Sequence, residues 1–477
     1  MSRFSAQVLP AALLAARALC AQEVPPATQA ALDRITADAL RGDLSFLASD
    51  ALEGRGTPSR GLDIAAEFIA SQFRRAGLEP AAAGQSYFQW AKFAEVTPKL
   101  DDFRLTLKAD GEALELTSVD VRVHSASALE LSNQPVIVLP PGGAFLKGMP
   151  DIAGRIIAGD ERRDGSEAHL NLLQARHPAL IVLVSGRGAP QEQTFLEDVE
   201  SGHAPVLHIV NEEAVAALME GRHLALSVHL SAPARKDAAL RNVAGILRGS
   251  DPVLRDQYVI VSAHYDHLGL STRTPGDSVF NGADDNGSGT VSVIELANAL
   301  ASLRIHPRRS ILFLTVFGEE EGLLGSYFYA EHPLVPIKDT VADINLEMMG
   351  RTDDPAGAEV GAMGITGMAF SDLPATISAA AKTEGVRVFT RHDEAQLFSR
   401  SDNYAFALAG VVAHTVAVAF DFPDYHSPGD EWQKIDYPNM AMVDRAVGAG
   451  ILDIANAPSP PKWSNSKEAG PYREAGK

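Results

Sequence analysis

VSAHYDHLG (Val261–Gly269), NGADDNGSGT (Asn281–Thr290) and FGEEEGLLGS (Phe317–Ser326) are three stretches of one 477-residue chain. Each ends or opens a predicted element. Gln257–Ser262 is an apolar, β-rich run that reads as a buried strand, with His264 and Asp266 just past its carboxyl end. Asp284 and Asp285 occupy a glycine-rich turn that opens a helix predicted over Ser288–Leu303. Ser310–Phe317 is a second buried strand, and Glu319, Glu320 and Glu321 follow it at once. In open α/β sheets the crevice outside the strand carboxyl ends is where ligands bind. A histidine and several carboxylates converging there point to a metal site.

The residue types suit that chemistry. Zinc takes imidazole nitrogen and carboxylate oxygen and, in catalytic sites, keeps one position open. A ligating imidazole needs an outer partner to fix its ring, and Asp266, two residues after His264, is placed to be one. Of two adjacent glutamates, one can bind metal while the other takes a proton. The alternative is a solvated acidic patch, the commonest meaning of a charge run. Here the run abuts an apolar strand and a glycine turn, which disfavours it.

These motifs resemble those of the co-catalytic di-zinc peptidases, metallopeptidase family twenty-eight, which include bacterial secreted aminopeptidases and glutamate carboxypeptidase. The resemblance continues in INLEMMGR (Ile344–Arg351) and DYHSPGDE (Asp424–Glu431). It implies two Zn²⁺ per chain, held by His264, Asp285, Glu320, Glu347 and His426. Asp285 would bridge the two ions, its peptide bond to Asn286 would be cis, and Glu319 would be the general base. Glu347 stands where the family more often has Asp. Tyr425 either steadies the oxyanion of a tetrahedral intermediate or packs. Ser401-Asp402-Asn403 resembles a Ser-Asp-His segment near the substrate amine, with Asn403 replacing the His. His267 is read as a rim residue, Asp284 as a turn or outer residue, and Ser288 as a helix cap.

The composition, 46% hydrophobic and 21% charged, is that of an ordinary soluble protein, and the length favours two domains. A net charge of −20 argues against nucleic acid, since phosphate binding needs a basic face. Residues 1–21 read as a signal peptide: Arg3 begins it, Val8–Leu19 is mostly Ala and Leu, and a cut would fall before Gln22. The expected location is therefore exported, periplasmic or extracellular. Cys20 is the only cysteine, so a mature chain has neither disulfides nor thiol ligands. No other apolar run approaches membrane-spanning length.

Residues 31–92 read as the N-terminal helical part of the catalytic domain, with helices over Ala31–Ser49 and Leu62–Ala76 flanking the loop Glu53–Arg60. Residues 93–235 are β-rich and resemble the family's protease-associated insert by layout and by HAPVLHI (His203–Ile209). Pro140–Gly143 breaks this part. Its His124, His169, His177, His203, His208, His223 and His229 are scattered and read as structural. Ala232–Ala239 reads as a return linker. Residues 241–457 alternate strands and helices and form the catalytic core, and 458–477 read as a flexible tail. The expected fold is α/β: a three-layer α/β/α sandwich, mostly parallel and zinc aminopeptidase-like, with a β-rich insert.

The implied function is a zinc-dependent exopeptidase, an aminopeptidase acting on peptide or protein substrates through a metal-activated water, with Glu319 as general base. Two alternatives share the fold: a glutaminyl-cyclase-like transferase, and a non-catalytic binding ectodomain. The complete set of five ligand positions together with Glu319 disfavours both.

Overall fold

The computed structural model describes residues 25–139, 151–160, 170, 173–184, 194–220, 223–271, 276–355, 360–391 and 393–476. The signal segment 1–21 with Cys20, the Pro140–Gly143 turn and His169 lie outside the described residues.

The carboxyl half is built on a mixed, mostly parallel sheet. Its strands lie in the order Arg387–Phe389, Ala362–Ile365, Ala413–Ala417, Thr340–Glu347, Tyr258–His264, Ser310–Val316 and the end of Ala225–Leu247. Tyr258–His264 runs parallel to both Ser310–Val316 and Thr340–Glu347, which in turn is parallel to Ala413–Ala417. Arg387–Phe389 is parallel to Ala362–Ile365. Antiparallel pairings join Ala362–Ile365 to Ala413–Ala417 and Ser310–Val316 to Ala225–Leu247.

The central strands are buried on both faces, as helices covering both sides of a parallel sheet require. Alternate side chains of one strand enter different cores. Val259, Val261 and Ala263 join the helices Arg60–Ala76, Gly289–Ala301 and Tyr437–Asn456 on one side. Tyr258 and Ile260 join Leu324–Glu331 and Asn403–Leu408 on the other. The three-layer expectation holds.

The β-rich part has its own apolar cores, one centred on Leu105, Val182, Leu207 and Leu226. It is carried on two very long strands, Phe88–Ala109 and Ala225–Leu247, which pair antiparallel from Phe88↔Val243 outward to Lys108↔Ala225. The linker expected at Ala232–Ala239 is therefore corrected. These residues lie within a continuous strand whose irregularity is confined to register shifts between His229 and Ala234. Two of the scattered histidines also converge. His124 and His203 lie 3.5 and 3.2 Å from Glu197. Burial tends to raise the Glu197 carboxyl, but the two imidazoles outweigh it and hold it at about 2.

Two more expectations are revised. The helix predicted over Ala31–Ser49 is two helices, Pro26–Leu32 and Ala37–Leu47. Thr36 ends the break by accepting the Ala39 amide proton at 3.2 Å, a side-chain N-cap. The flexible tail is overturned for residues 458–476. Trp463 donates to the Gly410 carbonyl at 3.1 Å, Ala469 is fully buried, and Trp463 and Tyr472 pack their rings around Phe398. Two aromatic rings supply apolar area that the polar composition of the segment hides.

Candidate metal centre

The expected ligands come together at the carboxyl edge of the sheet. His264 ends the strand Tyr258–His264, and Glu347 ends its parallel neighbour Thr340–Glu347. Asp285 lies in the irregular turn that leads into the helix Gly289–Ala301, and its peptide bond to Asn286 is cis. Glu319 and Glu320 follow the strand Ser310–Val316, and His426 sits at φ 50° in the loop beyond Ala413–Ala417.

His264 Nε2 lies 2.9 Å from Glu347 Oε1 and 3.4 Å from Asp285 Oδ1. His426 Nε2 lies 3.0 Å from Asp285 Oδ2 and 3.3 Å from Glu320 Oε2. Donor atoms of His264, Asp285 and Glu347 all fall within 4.8 Å of one another, as do those of His267, Asp285 and Glu320. Asp285 belongs to both groups and presents a different oxygen to each side. The other four positions taken from the motifs surround the Asp285 carboxylate.

Electrostatics follow from this convergence. Desolvation raises the Asp285 carboxyl, but hydrogen bonding to His264 and His426 outweighs it and the pKa falls. Desolvation lowers His264, but Glu347 and Glu319 outweigh it and its pKa stands well above the ordinary imidazole range. Burial raises Glu319 well above ordinary carboxylates, His264 opposes that, and Glu347, Asp402 and Glu320 add to it. So many carboxylates cannot share a dry site without positive charge among them. An oxygen- and nitrogen-rich donor set, with buried His267 and Glu320 atoms lacking hydrogen-bond partners, fits divalent cations.

Neighbouring residues fix the ligands. His264 Nδ1 lies 3.2 Å from the Asp266 carbonyl oxygen and 3.5 Å from its carboxylate. That carboxylate also accepts from the Glu319 amide (3.1 Å) and the Thr57 hydroxyl (3.1 Å), so Asp266 ties the His264 ring and Glu319 together. Ser401 donates to Glu347 Oε2, and Asn345 donates to Ser401 at 2.8 Å. Asn403 bonds Phe398 and Thr415 and is fully buried, so it packs rather than faces substrate. The Asp284 carboxylate accepts the Gly350 and Arg351 amides at 2.7 and 3.1 Å, the outer role expected of it. The Tyr425 ring stacks on His426, centroids 4.0 Å apart, and meets Phe422 edge-on.

Ser288 is corrected. It caps nothing, because its hydroxyl donates to the Asp284 carbonyl and accepts from the Met349 amide. The Gly289 amide is capped by Asn286 instead, at 3.0 Å. His267 is corrected as well. It is 1% exposed, not on the rim, and its Nδ1 lies 2.7 Å from Glu320 Oε1. Two residues escaped the sequence reading. The Asp430 carboxylate accepts the Asp284 and Asp285 amides near 3.0 Å, and its place in DYHSPGDE was the available signal. Arg55 is 1% exposed and donates to the carbonyls of Leu47, Tyr265, Asn281 and Gly282. Only its place in LEGRGTPSRG hinted at that.

A carboxylate–imidazole cluster with a glutamate beside it, at the carboxyl edge of a mostly parallel α/β sheet, is a donor set suited to cations next to a proton acceptor. Residues 242–451 match the model of peptidase family M28. It is similar to aminopeptidase YwaD of Bacillus subtilis, 27% identical over 233 residues, which cover 46% of each chain. It is also similar to the mouse aminopeptidase NAALADL1, 26% identical over 270 residues, 50% of this chain and 34% of that one. The chain thus spans less than half the length of these curated relatives. An aminopeptidase from Aneurinibacillus sp. strain AM-1 shares the fold at a TM-score of 0.51 and 18% identity, over 89% of this chain and 95% of that one.

Proposed function

We propose that this chain is a zinc-dependent exopeptidase, an aminopeptidase, with two zinc ions held by His264, Asp285, Glu320, Glu347 and His426. The observation that carries it is the pair of donor groups sharing Asp285 beside Glu319. The named relatives are aminopeptidases, which supports the reaction class. When bound, the ions supply Lewis acidity that activates water and polarises a scissile carbonyl.

The chain's own residues do the rest. Glu319 accepts the proton of the attacking water and delivers it to the leaving amine. Asp266 holds the Glu319 backbone and the His264 ring in one arrangement. Tyr425, whose ring stacks on His426, steadies the developing oxyanion. Arg55, beside Asp285 and Glu320, is spent on backbone carbonyls, and Arg351, beside Asp284, on Asp353 and Asp424. Neither is left for a substrate carboxylate, whereas the acidic surroundings suit a free α-ammonium. The β-rich module, resembling a protease-associated insert, walls the cleft. The chain is exported by residues 1–21. No described helix is long and apolar enough to cross a membrane.

Glu319→Gln keeps the shape and removes the basicity. The variant retains its zinc, and release of the chromophore from an aminoacyl anilide falls by ~10²–10⁴-fold, the range of a lost general base. Turnover at the wild-type rate would remove Glu319 from the mechanism.

A further inference from the structure

His267 is out of place as a core residue. A buried imidazole ordinarily satisfies its nitrogens. This ring is 1% exposed, and neither nitrogen has a hydrogen-bond partner. Nδ1 lies 2.7 Å from Glu320 Oε1 and 3.9 Å from Asp285 Oδ2, yet Glu320 Oε1 is also without a hydrogen bond. Two donor atoms this close and not aligned to each other are directed at a shared point rather than at one another. That point is the side of the centre that His426 also faces, and the His267 and His426 rings stand edge to face, 5.7 Å apart.

The chain makes room for this ring. Gly282 has φ 56°, and a Cβ there would come within 2.4 Å of His267 Cγ. Any side chain at 282 would expel the imidazole. The His267 amide is meanwhile fixed to the Arg55 carbonyl at 3.3 Å, so the ring is held from both ends of the loop.

We propose that His267 is a sixth protein ligand of the centre. It binds one ion through Nδ1 together with Asp285, Glu320 and His426. This deepens the two-ion reading above and rests on it. The consequence is asymmetry. One ion has four protein ligands and is closed, as structural zinc sites are. The other, held by His264, Asp285 and Glu347, has three and keeps a position open. Glu319 belongs to the open side, since its amide and the His264 ring share the Asp266 carboxylate, at 3.1 and 3.5 Å. Water activation is thereby assigned to the His264 ion, and the His267 ion anchors the bridge.

The test is metal binding by the full chain, stripped with chelator and titrated with zinc or cobalt(II). Wild type takes up two ions. His267→Ala weakens one by more than the ~10–100-fold that loss of an outer partner costs. The other ion keeps its affinity, and the cobalt d–d spectrum of the weakened site changes. His267→Gln, closer in shape, serves as the second variant should the alanine form fold poorly, and shows the same selective loss. Two ions bound at wild-type affinity with an unchanged spectrum would overturn the proposal, as would a loss within the outer-partner range. A wild-type chain that takes up no zinc overturns the reading of the centre itself, and the role of His267 with it.

Discussion

That His264, Asp285 and the glutamates after Val316 would meet at one edge was legible, because each stands at the end or opening of an element the apolar pattern marks. Glu347 and His426 were singled out only by the family resemblance. His267 was misread because a single histidine carries no spacing partner, and its burial depends on Gly282 fifteen positions on. Arg55 was invisible for a different reason. Its partners are backbone carbonyls up to 227 residues away, and a carbonyl leaves no trace in the sequence. Yet Arg55 holds the carbonyls of Tyr265, Asn281 and Gly282, the backbone that presents His264, His267 and Asp285. Burial lowers its pKa to about 10 while Asp266, Asp430, Asp285 and Glu320 resist that, so it stays charged at neutral pH. Lysine keeps the charge but not the fork. From one nitrogen it cannot reach carbonyls in three segments, and each buried group left unpaired costs ~1–3 kcal/mol. Arg55→Lys is therefore expected to unfold at a clearly lower temperature and to lose zinc faster to a chelator. An unfolding temperature and a metal release rate equal to wild type would refute this.

At the scale of elements, periodicity placed the catalytic strands and helices to within a few residues. The strand expected over Gln257–Ser262 runs Tyr258–His264, and the helix expected over Ser288–Leu303 runs Gly289–Ala301. What periodicity did not show is the price of packing helices through polar residues. Asp444 on Tyr437–Asn456 faces Gly289–Ala301 and is fully buried. One oxygen accepts from Ser292 at 3.0 Å, and the other has no partner. Burial raises its pKa to about 8, Ser292 opposing and Glu295 adding. The folded chain therefore holds this proton more tightly than the unfolded chain, whose carboxyl titrates near ~3.9. Stability from this group is fully present below pH ~4 and falls by about 1.4 kcal/mol per pH unit as pH rises towards 8. Asp444→Asn removes the titration. Its thermal stability relative to wild type should rise steadily between pH 5 and pH 8. A difference in unfolding temperature that is the same at both ends of that range would show that Asp444 is ionised as freely folded as unfolded.

For the whole molecule, length suggested a two-part chain, and the structure alters how the parts join. A flexible linker was the natural reading of a Pro/Ala/Lys stretch, because its pairing partner lies more than a hundred residues upstream: Lys236 sits opposite Glu95. The two long strands make the β-rich module an extension of the sheet of the carboxyl half. It touches the carboxyl half again where Asp198 donor atoms come within 4.8 Å of those of Glu331 and His332. All five motif ligands, and His267, nevertheless lie outside residues 93–235. The module should then be removable by cutting the ribbon in register. Val96 and Arg235 are direct partners, so joining them through a two-residue Asn-Gly turn preserves the inner pairs and gives a closed hairpin. The shortened chain is expected to bind both ions and to cleave small aminoacyl anilides, while, on the proposal that the module walls the cleft, its preference among longer peptides changes. Comparing zinc content and both substrate classes in the two chains separates the outcomes. An unchanged length preference would remove the module from substrate selection. Loss of zinc in a chain that still folds would show that the ribbon braces the centre, making module and catalytic sheet one working unit.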